Sequence, residues 1–197
     1  RGTEALQATA AAIRAAHGVQ VTVIAADITS DAGRAEVLAA AGQIDILVTN
    51  AGGPPPGMWR DWVREDFIKA INANMLTPIA LMTALLPGMI DRGWGRVVNI
   101  TSASVKSPVA ELGLSNAARA GLTGYVAGTS RQVAPFGVII NNLLPGIHDT
   151  DRARALDGGA MQARGITMDQ ARAERAATIP ARRYGTAAEF GNKQLVY

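Results

Sequence analysis

The chain has 197 residues, 48% of them hydrophobic and 18% charged, with a formal net charge of +3, which places it among ordinary globular proteins long enough to bury one sizeable core. Its basic residues neither cluster nor interleave with aromatics, so nucleic acid is not an expected partner; the absence of cysteine excludes a disulfide framework and thiol chemistry. His17 and His148 are the only histidines, so no metal site is expected; no apolar run is expected to reach the length needed to span a bilayer and no signal pattern opens the chain, so the expectation is a cytoplasmic protein without a membrane partner.

Residues 4–17 are rich in strong helix formers and stop at Gly18, which reads as a helix with a C-terminal glycine. Val19 to Ala26 is apolar and β-branched, a strand ending at Asp27, and Ser30-Asp31 forms an N-cap for a second helix through Ala41. Ile44 to Thr49 is the next strand. The run Gly52-Gly-Pro-Pro-Pro-Gly57 must be an irregular loop, after which Asp66 to Met89 carries one long helical pattern despite Pro78. A strand over 96–101, a helix over 115–134 and a strand over 138–144 follow, and the chain is then polar and helical to Arg183. Strands alternating with helices at this spacing predict an α/β fold, a doubly wound parallel sheet with 44–49, 96–101 and 138–144 adjacent in chain order. No repeat or linker divides residues 1–197, so one domain is expected.

Three segments carry a resemblance: Val-Thr-Asn-Ala-Gly-Gly at 48–53, Val-Asn-Ile-Thr-Ser at 98–102, and Ser115-Asn-Ala-Ala-Arg119. The first two are apolar runs that end in small polar residues, as buried parallel strands do when they deliver side chains to a crevice beyond their carboxyl ends. In this order they resemble a short-chain dehydrogenase/reductase, nearest in texture to the 3-oxoacyl carrier-protein reductase branch, with the catalytic Tyr-x-x-x-Lys replaced by Ser-x-x-x-Arg. The resemblance implies a Rossmann-like fold, NAD or NADP as cofactor, a small carbonyl or acyl substrate, and 149–183 as a substrate lid. The alternatives are a non-catalytic nucleotide-binding or oligomerisation homologue, and an inert fragment of the enzyme.

It also implies roles for single residues. Asp27 and Ile28 hold the adenine, although a turn or capping aspartate would look the same. Asn50, Ala51 and Gly52 let the backbone approach the cofactor. Asn74, favoured over Asn72, is the active-site asparagine, and Ser102, favoured over Ser104, bonds the substrate carbonyl. Pro145, Gly146, Ile147 and Thr150 bind the nicotinamide carboxamide. Arg1 stands where NADP-selective members often carry an arginine, which points to NADP ahead of NAD.

Ser115 and Arg119 share a helix face at i, i+4, so the site is expected to be atypical. A serine hydroxyl titrates far above the tyrosine value of about 10 and cannot simply replace a phenol; an arginine holds a ribose or an oxyanion but does not exchange protons at neutral pH. Tyr125 is nearly three helical turns from Ser115; Lys106, in the substrate-side loop, is within reach of the site on one reading and an exposed loop lysine on the favoured one. No Gly-x-x-x-Gly-x-Gly occurs in the 197 residues, so the sheet is expected to lack the family's first two strands and its last, with 19–26 either sliding in beside 44–49 or leaving a gap, and cofactor binding by this chain is expected to be weak. Ala120, Gly124 and Gly128 form a small-residue stripe on one helix, which together with the family's habit of pairing these helices implies a homodimer or homotetramer.

Overall fold

A computed structural model describes residues 2–192. The chain divides into two compact units, residues 1–143 and 144–197. In the first unit, three strands, β1 (Ile46–Thr49), β2 (Gly95–Ile100) and β3 (Val138–Leu143), form a parallel sheet in the order β1-β2-β3. Register pairs Thr49 with Asn99 and Asn99 with Asn142. The helices are α1 (Thr3–His17), α2 (Asp31–Ala41), α3 (Arg64–Ile71), α4 (Thr77–Asp91) and α5 (Gly113–Val133).

Alternation decides which sheet face is covered. Val97, Val138 and Ile140 point to the side packed by Met82, Leu86 and Met89 of α4 and by Leu122, Val126 and Val133 of α5. Ile46, Val48 and Ile139 point the other way and are exposed. The period of two that β-branched residues follow in a strand thus fixes one core against α4 and α5.

Three expectations need correction. Residues 19–26 form no strand. The family arrangement puts a strand between this run and β1; among the described residues none lies there, and a β-branched run without a neighbour has no ladder to join, whatever its propensity. Residues 19–26 have not slid in as a strand beside β1, whose partner among the described strands is β2.

The helix expected over 66–89 starts earlier, ends later and is interrupted by a π-turn, Asn72–Leu76, in which the Thr77 amide donates to the Asn72 carbonyl. Pro78 supplies the reason, since it has no N–H for the carbonyl four residues back and its ring crowds that carbonyl; widening the preceding turn by one residue relieves both. Against the expectation that no apolar run is long enough to span a bilayer, Arg64–Asp91 is 28 residues with a window of mean hydropathy 1.5, long and apolar enough by length and composition to cross one. Here its apolar side, with Met82 and Met89 fully buried, packs in the core instead.

The second unit contains α6 (Asp151–Arg164), α7 (Met168–Thr178) and α8 (Ala187–Asn192). Thr150 and Thr167 cap α6 and α7, each hydroxyl accepting from the amide three residues on. Asp157 of α6 is completely buried. Its carboxylate receives Arg175 Nε at 2.7 Å and Arg172 Nη1 at 3.4 Å, and the Tyr184 hydroxyl donates to both oxygens at 3.0 and 3.1 Å. Arg172 also stacks on the Tyr184 ring at 4.5 Å. Burial, then the Asp157 carboxylate, raise the Tyr184 phenol above its ordinary pKa, so it stays a donor. Replacing Asp157 by alanine leaves Arg175 and the Tyr184 hydroxyl without their buried partner, while Arg172 keeps Asp149 at 3.2 Å. The change is expected to cost about 3 kcal/mol, the low end for a broken buried ion pair because both arginines are partly exposed. Urea unfolding of the variant against Asp157→Asn, which keeps the acceptor, measures this.

Candidate active site

The carboxyl ends of the three strands are tied together by their own polar side chains. Thr49 Oγ1 donates to Asn99 Oδ1 at 2.7 Å, and Asn99 Nδ2 donates to Asn142 Oδ1 at 3.2 Å. Asn99 is fully buried and Thr49 nearly so. Each rung lies just before a candidate site segment: Thr49 before Asn50-Ala51-Gly52, Asn99 three residues before Ser102, and Asn142 three before Pro145. A one-residue slip in any strand would break the chain of bonds and turn its side chains to the wrong face. Asn99→Leu keeps the volume but orphans Thr49 and Asn142, and about 1–3 kcal/mol per buried group left unbonded is the expected loss, read as a lower urea midpoint.

Arg119 closes the same ends from above. It is buried on α5, and its guanidinium donates to the carbonyls of Ile100 at 2.8 Å, Thr101 at 2.9 Å and Ala51 at 3.2 Å, while Nε donates to Ser115 Oγ at 3.2 Å. One planar fork therefore joins the end of β1, the end of β2 and the first turn of α5. A lysine ammonium, a point donor on a flexible stem, cannot span those four acceptors. Ser115 is also buried; accepting from Arg119 leaves its own proton to donate.

Ser102 caps a short 3-10 turn, and its Oγ accepts from the Ser104 amide at 3.1 Å and the Ser104 hydroxyl at 2.8 Å. With both lone pairs engaged, the Ser102 proton remains for an outside acceptor, the chemistry that a substrate carbonyl requires. Ser104, buried beneath it, supports Ser102. Asn74 sits in the π-turn, 3% exposed. Its Nδ2 donates to the Ala70 carbonyl at 3.3 Å and its Oδ1 is buried without a partner. Asn72 is engaged elsewhere, donating to the Thr29 carbonyl at 3.2 Å. Lys106 is exposed.

On the expected cofactor side, Asp27 is exposed and Ile28 half-buried. Asp27 Oδ1 accepts from the Thr29 hydroxyl at 2.7 Å and amide at 3.0 Å, and the hydroxyl, then the amide, hold the carboxyl below its ordinary range. The turn reading and the ligand reading of Asp27 are thus compatible: Oδ1 takes the turn bonds, and the exposed carboxylate has a second oxygen for a ligand. Gly33 is required here, since a Cβ would lie 2.0 Å from the Asp27 carbonyl oxygen. Asn50 and Gly52 are exposed and Ala51 half-buried directly after β1.

Within the second unit, Pro145, Gly146 and Ile147 run into a bridge between His148 and Gly185, in which the Gly185 amide donates to the Ile147 carbonyl at 3.0 Å. Thr150 Oγ1 accepts from the Ala153 amide at 3.2 Å and retains its proton. Arg1 lies outside the described residues. Ala120, Gly124 and Gly128 are exposed, and a Cβ on either glycine would meet nothing within 4 Å.

The Thr49–Asn99–Asn142 ladder and the supporting role of Ser104, named only as an alternative to Ser102, were not anticipated from the sequence. Their signal was there, as single polar residues inside apolar strand runs, but only register reveals that they meet. Asp157 had no local signal at all, its partners being 15 to 27 residues away.

Parallel strands with such polar termini, tied to a helix by a buried arginine, define an α/β protein with a parallel sheet. The profile of the short chain dehydrogenase family matches residues 1–159, and the chain belongs to that family. It is 33% identical over 153 residues to an acetoacetyl-CoA reductase of Cupriavidus necator, the match covering 77% of this chain and 57% of the relative. It is equally 33% identical over 153 residues to the 3-oxoacyl-[acyl-carrier-protein] reductase FabG of Escherichia coli, with the same coverage. The chain thus spans little more than half the length of these relatives. Among solved structures, a variant of actinorhodin polyketide ketoreductase with NADPH superposes with a TM-score of 0.89 at 27% identity, over 99% of this chain and 77% of that one. YwfH, an NADPH-dependent reductase involved in bacilysin biosynthesis, superposes with a TM-score of 0.91 over 99% of this chain and 77% of that one; at 24% identity this likeness speaks for the fold alone.

Proposed function

We propose that the chain carries the carbonyl-side half of a cytoplasmic, NADP- or NAD-dependent oxidoreductase that interconverts a carbonyl or 3-oxoacyl group and its alcohol, with Ser115 and Arg119 in place of tyrosine and lysine. The observation that carries this reading is the Arg119 fork, which brings the Asn50-Ala51-Gly52 segment, the strand leading to Ser102, and Ser115 to one place. The acetoacetyl-CoA and 3-oxoacyl relatives support the same reaction class.

The residues present fit a dinucleotide in one respect: Asp27 offers an ionised oxygen beyond its turn. Asp27 and Ile28 would hold the adenine, and Pro145, Gly146, Ile147 and Thr150 the carboxamide. When bound, the nicotinamide supplies hydride to the carbonyl carbon. Ser102 would donate its proton as a hydrogen bond to the carbonyl oxygen, where negative charge grows. Arg119 would hold Ser115 and the strand ends, and Ser115 would pass a proton through water, since its own hydroxyl is too weak an acid to supply one. The single-domain organisation, the lid over 149–183 and a homo-oligomer built on the exposed stripe of α5 belong to the same proposal. Carbonyl-dependent oxidation of NADPH at saturating cofactor, abolished by Ser102→Ala, tests it.

One observation favours a second reading, a nucleotide-binding or oligomerisation homologue without turnover. Arg119 is committed to three backbone carbonyls, which suits a structural tie as well as a catalytic one. Cofactor binding without carbonyl-dependent oxidation would establish that reading.

A further inference from the structure

Beyond Gly52 the first unit carries an open-sided pocket of about 480 Å³, between the loop 52–57, α3 and the start of α5, within the size range of small-molecule sites. Its walls are preformed. Three successive prolines, Pro54 to Pro56, fix the backbone on one side. Trp62 is wedged on the other, for a Cβ at Gly57 would lie 2.8 Å from its Nε1 and one at Gly113 would lie 2.3 Å from its Cζ3. The Gly57 amide donates to the Glu111 carbonyl at 2.9 Å, anchoring the loop to the segment before α5.

The polar lining is dominated by acceptors. Asp61 Oδ2 accepts from the Met58 amide at 2.7 Å and Asp66 Oδ2 from the Val63 amide at 3.1 Å. Each carboxylate is thereby oriented by one oxygen, with the second available to a ligand. Asn74 lines the same cavity, 3% exposed, its Nδ2 turned back to Ala70 and its Oδ1 without a partner. Lys69 is the single cationic side chain of the lining. A methylene chain placed here would cover the half-buried Asp66 and the buried Asn74 oxygen and return no hydrogen bonds, which is unfavourable. A molecule bearing several hydroxyls would satisfy them.

We propose that this cavity binds a short polyhydroxylated carbonyl compound, a ketose or its polyol, and selects it over an aliphatic 3-oxoacyl chain. Hydroxyls donate to Asp61, Asp66 and Asn74, Lys69 donates to a ligand oxygen, and the C–H faces lie on Ala70, Ala73 and Leu114. Leu114 immediately precedes Ser115, and Gly52 closes the Asn-Ala-Gly segment, so the ligand borders the proposed reaction site. The reducible end of the ligand rests on the oxidoreductase reading; the binding itself does not.

The test uses the whole chain with Trp59→Phe and Trp94→Phe, which leaves Trp62 as the sole tryptophan of three. Fructose, titrated without nicotinamide, is expected to change Trp62 emission saturably, whereas an acetoacetyl thioester of N-acetylcysteamine is expected to leave it unchanged. Asp61→Asn with Asp66→Asn keeps both amide acceptors but removes the charges, and fructose affinity should fall by about tenfold or more, as losing two charge-assisted bonds implies. Should that pair lose its native circular dichroism, Lys69→Met, which caps no backbone group, serves in its place with the same expected direction. Saturation by the thioester and not by fructose, or fructose binding untouched by the variants, would overturn the proposal. A pocket that fails this test while NADPH still reduces a 3-oxoacyl thioester leaves the oxidoreductase reading standing; fructose binding without any hydride transfer sinks only that reading.

Discussion

Arg119→Met is expected to lower stability by about 1–3 kcal/mol or more, because it leaves the buried Thr101 carbonyl without its donor, at about 1–3 kcal/mol for a group that water cannot reach, and removes the donor from the half-buried carbonyls of Ala51 and Ile100 as well. Arg119→Lys should recover only part of the loss, since one ammonium reaches fewer of these acceptors than a planar fork. Thermal unfolding followed by circular dichroism measures both. A methionine variant as stable as the parent would mean that the carbonyls find other donors, and the view of Arg119 as the tie between β1, β2 and α5 would fall.

The second large effect is on rate. Carbonyl reduction with Ser115 in place is expected to run about 10²–10⁴ slower than in a family member carrying Tyr-x-x-x-Lys, the range that a positioned general acid typically supplies. Replacing Ser115 by tyrosine and Arg119 by lysine together should raise turnover, because the phenol becomes the donor and the ammonium lowers its pKa. The same pair should melt earlier, because the strand-end carbonyls lose the guanidinium. Turnover and thermal midpoint moving in opposite directions is the expected signature. A double variant that is slower than the parent would show that Ser115 and Arg119 form a working site of a different kind.

The parts of the fold that local pattern controls were legible in the sequence. Gly18 ends α1 with φ 64°, as its place after a helix-forming run implies, and Ser30 caps α2 as expected. The parallel order of β1, β2 and β3 follows from alternation with helices alone. Residues 19–26 read as a strand because propensity is local, while a ladder needs a neighbour. The π-turn was hidden for a related reason: Pro78 announces a disturbance, yet whether a helix breaks, kinks or widens depends on packing against α5 and the sheet. At the site, Ser102 and Asn74 stand out by their place in a motif. The reason Ser102 is fit to donate lies in Ser104 two residues on, and the reason Arg119 is arginine lies in carbonyls up to 68 residues away.

The most direct measurement of the central claim is label transfer from NADPH deuterated at the hydride position of the nicotinamide. Incubated with this protein at saturating cofactor and a carbonyl substrate, deuterium is predicted to appear on the carbinol carbon of the alcohol, and to disappear from the product when Ser102 is replaced by alanine. Bound NADPH that delivers no deuterium to any carbonyl, or delivers it equally well without the Ser102 hydroxyl, would contradict the account.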